Sequence, residues 1–206
     1  MPAVAVLTAY GRTALASAIQ GSYVPPLYLV LESNGSTVSA SYVAGVTTIQ
    51  TVAPVHLAGD TQLILGVGLP TQETVTFSAA TGAGPTTYTL SAATAYAHAA
   101  GDPACRLPLT SDTMAQVVSE IQYDPTYDPN LRVQSVGGYS TGVGQWTMQF
   151  FVSGIEASAF LMTGGLADAN TVGQGNLHAH FAIGINHVYN ALNGGVDLEI
   201  DVPIQL

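Results

Sequence analysis

The sequence predicts a mainly β protein: an antiparallel, jelly-roll-like β-sandwich with one short N-terminal helix and an inserted small β-barrel-like domain. Three observations lead to this fold class. Helix-type patterning is confined to the start of the chain, short β-type runs fill its middle, and longer apolar or alternating runs fill the second half. With 206 residues and 48% hydrophobic content, the chain can bury a substantial core.

The chain opens with a helix and a buried strand. Thr8 is a good N-cap, residues 9–20 are mostly strong helix formers, and Gly21 stands where helices often end on glycine. After the break at Pro25 and Pro26, the apolar run of residues 27–31 predicts a buried strand.

The middle of the chain predicts a small all-β unit inserted into the sandwich. Its β-type runs are short and regularly spaced: residues 46–52, 61–65, 73–77 and 86–90. Turn sequences rich in glycine, proline and aspartate separate these runs. We therefore assign residues 45–107 to an inserted β-domain, and residues 1–44 together with 108–206 to the sandwich.

The remaining strands are predicted at residues 114–122, 146–155, 157–162, 177–185 and 196–206. In the last of these, apolar residues alternate with Asp197, Glu199 and Asp201, which predicts one buried and one wet face. Two glycine-rich segments, residues 137–144 and 164–175, lack the lysine and the strand-to-helix setting of a phosphate-binding loop. We interpret both as loops between strands.

Charged residues are sparse, which bounds the possible partners. They make up 8% of the chain, and the only cations besides histidine are Arg12, Arg106 and Arg132. An average soluble domain carries about 25% charged residues. Because the net charge is −10 and there is no lysine, we expect neither a nucleic-acid surface nor a polybasic membrane patch. No apolar run is long enough for a transmembrane helix, and residues 1–7 lack the features of a secretory signal.

A surface covered by uncharged polar residues suits contact with other protein, because burying it desolvates few full charges. Compositional drift in an alanine-, glycine- and valine-rich genome would produce the same composition. We interpret the composition as a sign of an assembly subunit.

Two histidines are the candidates for a metal site. His178 and His180 are two residues apart in a predicted strand, so both point to one face and could bind Zn²⁺ with a third ligand. Glu199 or Asp201 could supply that ligand if the C-terminal strand pairs alongside, and a symmetry axis could bring in a second chain's histidine. No zinc-site sequence pattern accompanies the pair. We favour a structural or interface role and expect neither a metal nor another cofactor.

Other reactive residue types form no catalytic pattern. Asp124 and Asp128 each precede a proline, which indicates turns rather than a Ca²⁺ loop. The lone Cys105 is interpreted as a small core residue. No nucleophile elbow is present, and we expect no catalytic residues. A metal-dependent hydrolase that uses His178, His180 and Asp201 is kept as an alternative.

Three segments resemble parts of tailed-bacteriophage virion structural proteins. The first is LTAYGRTALASAIQG at residues 7–21, followed by the apolar strand PLYLVL at residues 26–31. The second, residues 57–103, is similar to a small β module embedded in phage tail and capsid accessory proteins. The third, residues 162–206, is similar to the closing part of the same virion proteins. The resemblance implies a structural role without a defined site.

The expected function is that of a non-enzymatic structural component of a phage virion, assembled in the host cytoplasm. It would form a symmetric homo-oligomer on the tail, on the neck or on the capsid surface, and its partners would be further copies and other virion proteins. The alternative is a carbohydrate- or receptor-binding β-sandwich module, in which Trp146 and the ten tyrosines offer apolar faces to sugar rings.

Overall fold

The computed structural model describes residues 6–19, 27–33, 35–118, 120, 132–142, 145–152, 159–187 and 198–205. Within these residues the protein is mainly antiparallel β with one short N-terminal helix, α1 (Ala9–Ile19), so the predicted fold class is confirmed. The strands are β1 (Val6–Leu7), β2 (Tyr28–Glu32), β3 (Ser36–Thr37), β4 (Thr48–Thr51), β5 (Gln62–Leu65), β6 (Glu73–Thr81), β7 (Thr86–Leu90), β8 (Pro103–Arg106), β9 (Val133–Gln134), β10 (Gly137–Gly142), β11 (Gln145–Val152), β12 (Ala159–Ala167), β13 (Leu177–His187) and β14 (Leu198–Gln205).

Helix α1 begins where the sequence predicts and is fastened to β13. The Thr8 hydroxyl accepts a hydrogen bond from the Gly11 amide at 3.1 Å, as an N-cap does, and itself donates to the Leu177 carbonyl. The Thr8 amide donates to the His178 carbonyl at 2.9 Å. A Cβ atom at Gly11 would overlap that carbonyl oxygen. Helix α1 can therefore lie this close to β13 only because the position is glycine. The predicted helix end at Gln20 and Gly21 falls outside the described residues.

Two antiparallel sheets form the sandwich. A five-stranded sheet has the order β1-β13-β12-β2-β9, and a three-stranded sheet has the order β10-β11-β14. One apolar cluster joins them, because Phe150 of β11 and Val202 of β14 pack with residues of the larger sheet. Those residues are Leu29, Leu31, Leu161, Leu166, Ala179 and Phe181. Truncating a buried leucine or phenylalanine of such a core to alanine costs about 2–5 kcal/mol, so this cluster holds the two sheets together.

The glycine-rich segment at residues 137–144 contains a strand where we expected a loop, and the segment at residues 164–175 begins in a strand before it forms the loop between β12 and β13. Gly137–Gly142 forms β10, and Gly165 lies inside β12. A Cβ atom at Gly165 would lie 2.7 Å from the Leu177 side chain and 2.8 Å from the Ala179 carbonyl oxygen. The glycine is needed for close packing against β13 and does not mark a turn.

The predicted strand at residues 114–122 is wrong in its first part. Met114–Gln116 forms a 3-10 helix, which Thr113 caps. The Thr113 hydroxyl accepts from the Ala115 amide at 3.3 Å, and the Gln116 side chain accepts from the Thr113 amide at 2.9 Å. This reciprocal capping box satisfies local backbone donors that an isolated strand would leave unpaired, and it overrides the imperfect apolar alternation.

The middle of the chain forms a barrel-like sheet. Its strands have the order β3-β8-β5-β6-β7-β4, and a bridge between Val38 and Thr51 brings the two edge regions together. The barrel encloses its own apolar core, in which Ile49, Leu63 and Tyr88 are fully buried. The sheet includes β3, which precedes residue 45, and the division of the chain into residues 45–107 and the remainder stays a prediction.

A smaller apolar cluster lies between barrel and sandwich. It consists of Ile64, Val67 and Cys105 from the barrel with Met162 and Ala182 from the five-stranded sheet. The predicted core position of Cys105 is confirmed, since it is 0% exposed. The barrel is therefore packed against the sandwich as well as covalently continuous with it.

Candidate functional site

Charged side chains gather where the barrel joins the sandwich. We call this group the junction cluster; it consists of Glu32, Asp60, Arg106, Asp112, Thr163 and His180. Glu32 is the last residue of β2, after which the chain enters the barrel, and Arg106 is the last residue of β8, at which it leaves. Asp112 lies in the loop that follows.

Arg106 anchors the barrel side of the junction cluster. Its Nη1 and Nη2 atoms donate to the two carboxylate oxygens of Asp112 at 2.7 and 2.6 Å, and its Nε donates to Asp60 at 2.8 Å. The Leu109 amide also donates to Asp112, at 2.8 Å. Burial by itself would raise the pKa of Asp112, but the hydrogen bonds from Arg106 and His180 hold this pKa well below its usual range. Asp112 is therefore a carboxylate at neutral pH.

His180 joins Asp112 to Glu32. Its Nδ1 lies 2.7 Å from Asp112 Oδ2, its Nε2 lies 2.8 Å from Glu32 Oε2, and the residue is 1% exposed. Burial lowers the pKa of His180, but the hydrogen bonds to Asp112 and Glu32 more than offset this and raise it above the ordinary value of a histidine.

The Glu32 carboxylate is fully buried and is hydrogen-bonded from several sides. The Val118 amide donates to Oε1 at 2.8 Å, and the Thr163 hydroxyl donates to Oε2 at 2.8 Å. A buried carboxylate is tolerated only when it is paired and hydrogen-bonded in this way. The junction cluster thus connects β2, β12, β13 and the chain that leaves the barrel.

His178, the other candidate ligand, has different neighbours. Its Nε2 lies 3.4 Å from Asp168 Oδ2, and the Tyr10 ring packs edge-on against the imidazole with centroids 4.9 Å apart. Burial lowers the pKa of His178, and Asp168 opposes this only in part. His178 is therefore neutral at neutral pH, and its pKa is shifted in the opposite direction to that of His180.

The strand pairing does not bring the expected third metal ligand to these histidines. Strand β14, which carries Glu199 and Asp201, pairs with β11, whereas β13 pairs with β12 and β1. The pairing that Glu199 or Asp201 would need to supply a third ligand is therefore absent from the described strands. Within the described residues, no group of three or more histidine, cysteine, aspartate or glutamate side chains could hold a metal ion.

A second buried ion pair lies at the edge of the five-stranded sheet. Arg132 Nε and Nη2 donate to the Glu120 carboxylate at 2.6 and 3.0 Å. Arg132 Nη1 donates to the Ala169 and Gln174 carbonyls at 2.7 and 2.9 Å. The cation thereby ties the loop between β12 and β13 to the chain before β9.

The barrel holds a third group, around His98. The His98 Nε2 lies 2.8 Å from Glu73 Oε1, while Nδ1 lies 3.6 Å from Asp102 Oδ2. Glu73 also accepts from the Ala95 and Tyr96 amides. Burial tends to raise the pKa of Glu73, but these hydrogen bonds from the two amides and from His98 lower it.

Together these groups pair most of the charges whose side chains the structure describes. Each carboxylate whose side chain the structure describes accepts at least one hydrogen bond from an arginine, a histidine, an asparagine or a backbone amide. Arg106 and Arg132 are both 5% exposed. Of all the charged side chains that the structure describes, only that of Arg12 is exposed. Asp124 and Asp128, which we interpret as turn residues, lie outside the described part of the chain.

An apolar surface lies on the barrel and includes no member of the junction cluster. We call it the barrel-end patch; it consists of Tyr42, Leu69, Pro70, Tyr96 and Ala97. Leu69 and Pro70 line two grooves of about 510 and 320 Å³, the larger also lined by Tyr42 and Ala97 and the smaller by Tyr96. Leu69 is 37% and Tyr96 46% exposed, and Val43, next to Tyr42, is 73% exposed.

Sequence reasoning named His180 but missed the residues that surround it. The sequence does contain a signal for these residues, namely a charged residue inside or directly after an apolar strand. Glu32 follows the apolar run of residues 27–31, and Arg106 ends the buried strand β8. Because such positions are rarely charged unless the charge is paired, they point to buried partners.

No family model, curated protein or solved structure matches the chain. None of the helices in the described residues has both the length and the apolar character required to cross a bilayer.

Proposed function

We propose that this protein is a non-enzymatic structural subunit that assembles as a symmetric homo-oligomer and contacts other proteins of a larger particle. The observation that carries the proposal is the internal pairing of its charges. All three arginines and every carboxylate whose side chain the structure describes are hydrogen-bonded within the fold, and among these residues only Arg12 is exposed.

The physical reason is the cost of removing charges from water. Covering an exposed ion on association costs free energy unless a partner charge replaces its hydration, whereas uncharged polar and apolar groups are covered at little cost. Protein contacts are accordingly depleted in charged residues at their centre. A surface of this kind can form several contacts without a matching pattern of opposite charges on the neighbour.

The barrel-end patch is the contact surface that we favour. Leu69, Pro70, Tyr96 and Ala97 are exposed, Tyr42 is half-buried, and together they flank two grooves. Exposed apolar side chains beside a concave surface are typical of protein contacts. His98 and Asp102 also line the larger groove, and both are already paired. The patch therefore presents little unpaired charge to a neighbour.

The resemblance of residues 7–31, 57–103 and 162–206 to tailed-phage virion proteins supports a virion as the particle. It is compatible with the tail, the neck or the capsid surface. Antibody labelling of purified particles tests this part of the proposal. Labelling at one symmetric position supports it, and absence of the chain from purified particles contradicts it.

The assembly itself is tested by light scattering after size-exclusion chromatography, over a series of micromolar and higher concentrations. We expect the wild-type chain to form a discrete oligomer and the double variant Leu69→Asp, Tyr96→Asp to remain monomeric. Val136→Asp is the matched control, since Val136 is an apolar residue 61% exposed on the sandwich. A wild-type chain that stays monomeric throughout the series would refute assembly. Equal loss in the control would refute the barrel-end patch as the contact.

A further inference from the structure

The two segments by which the chain enters and leaves the barrel are held by a single side chain. Glu32 ends β2 just before the barrel, and Asp112 lies in the loop just after it. His180 contacts both carboxylates, through Nε2 at 2.8 Å and through Nδ1 at 2.7 Å. It belongs to β13, in the middle of the sandwich, so it connects the sandwich to both ends of the insertion.

This geometry requires a proton. A neutral imidazole has one N–H donor and one lone pair, and an ionised carboxylate can only accept. Carboxylate oxygens lie within hydrogen-bond distance of both ring nitrogens. The lone pair of a neutral His180 would therefore face the lone pairs of one carboxylate. The imidazolium form satisfies both contacts, because both nitrogens then donate.

Other groups near His180 also donate hydrogen bonds to the two carboxylates. Arg106 donates to Asp112 from the barrel side and also pairs with Asp60. The Val118 amide and the Thr163 hydroxyl donate to Glu32. The other titratable groups in this region have their own surroundings. Cys105 is a buried neutral thiol of β8, and Glu120 is paired with Arg132. His178 contacts Asp168 and Tyr10.

We propose that His180 is a proton-operated lock between the barrel and the sandwich. While the imidazole is protonated, it holds Glu32 and Asp112 together and fixes the barrel at both of its connections. When the proton is lost, the imidazole can no longer donate to both Glu32 and Asp112, and the junction opens. The apolar contact of Ile64 and Cys105 with Met162 keeps the barrel attached, so opening is local.

The direction of the pH effect follows from the sign of the pKa shift. Burial lowers the pKa of His180, but Asp112 and Glu32 raise it overall, to above the ordinary value of about 6.5. A raised pKa in the folded state means that the stabilisation is complete below the ordinary pKa and is lost as pH rises through the folded pKa. The lock is therefore closed at and just below the ordinary histidine pKa, and it opens as pH rises above that value.

The test is a pH titration of the full chain, uniformly labelled with ¹⁵N and followed by NMR. We expect the His180 ring nitrogens to be those of an imidazolium at neutral pH and to lose the proton only above the ordinary histidine pKa. Amide hydrogen exchange is measured on the same samples. The exchange rates are corrected for the intrinsic increase of amide exchange with pH. The Leu109 and Val118 amides donate to Asp112 and Glu32, so they should lose protection as His180 titrates. Amides of the barrel core, such as that of Leu63, should not.

Glu32→Gln separates the lock from a merely structural histidine. An amide can donate to Nε2, so a neutral His180 is satisfied in this variant, and we expect a lower His180 pKa and no pH-dependent loss of Leu109 protection. If Glu32→Gln does not fold, the wild-type titration decides alone. A neutral His180 in the wild type at neutral pH would overturn the proposal. So would Leu109 and Val118 protection that stays unchanged while His180 titrates.

Discussion

Arg106 and Asp112 form a two-point ion pair in which the guanidinium Nη1 and Nη2 lie 2.7 and 2.6 Å from the two carboxylate oxygens. The side chains are 5% and 1% exposed, so the pair is sealed from water. Arg106 belongs to the last strand of the barrel and Asp112 to the loop that returns to the sandwich. The pair thus fixes the chain where it leaves the barrel and keeps two full charges off the surface.

Replacing Arg106 with methionine keeps much of the apolar stem but leaves Asp60 and Asp112 buried without their cation. Removing one partner of a buried ion pair typically costs about 3–5 kcal/mol. We expect Arg106→Met to lower the free energy of unfolding by an amount in this range, measured by urea denaturation near neutral pH.

Arg12→Met is the matched control for this substitution. Arg12 is exposed on α1, and its Nη1 donates to the Leu7 carbonyl at 2.9 Å. Surface substitutions of this kind usually change stability by about 0.5 kcal/mol or less. Similar losses in Arg106→Met and Arg12→Met would show that the junction cluster adds no stability beyond that of a surface contact.

Acid is expected to destabilise the protein through Asp112. Burial would raise the pKa of this carboxyl, but Arg106 and His180 lower it in the folded state. Its stabilisation is therefore present above the ordinary aspartate pKa of about 3.9 and is lost as pH falls below that value. Asp112→Asn should be less stable at neutral pH but should lose less unfolding free energy on acidification. Parallel pH profiles for the two proteins would contradict this expectation.

Gly11 is expected to be essential for docking α1 on β13. The Cβ atom of alanine would overlap the His178 carbonyl oxygen, and neither backbone can move without breaking the Thr8 contacts. We expect Gly11→Ala to lower the free energy of unfolding by about 1–3 kcal/mol or more, although alanine is the better helix former. Gly137→Ala is the control, because nothing lies within 4 Å of its Cβ position. A neutral or stabilising Gly11→Ala would show that α1 does not lie this close to β13.

Cys105 should be unreactive in the folded protein. It is 0% exposed, and burial raises its pKa to about 12, so the reactive thiolate is scarce at neutral pH. An aromatic disulfide reagent should modify the thiol slowly before unfolding and completely after it. Rapid modification of the native protein would contradict the apolar cluster between barrel and sandwich.

Patterns that depend on local chemistry could be predicted from the sequence. The cap at Thr8, the apolar strand that ends at Glu32 and the C-terminal strand all lie where the sequence places them. The glycines of β12 could not be assigned from sequence, because their role is to admit side chains from the neighbouring strand β13. The 3-10 helix at Met114–Gln116 was missed because a capping box outweighed a weak alternation.

The site was harder to predict than the fold, because its members come from distant parts of the chain. His180 and Glu32 are 148 residues apart, and His180 and Asp112 are 68 apart. The sequence shows that His178 and His180 share a strand, but not that one is neutral beside Asp168 while the other bridges two carboxylates. Only the packing of barrel against sandwich supplies those neighbours.

The salt dependence of self-association, measured by sedimentation velocity on the full chain, tests the central claim most directly. Salt screens contacts between exposed charges but leaves uncharged contacts intact or strengthens them. An assembly subunit with its charges paired internally should form the same oligomer from about 0.05 M to about 1 M NaCl. A chain that is monomeric at every salt concentration, or an oligomer that dissociates as salt rises, would contradict the account.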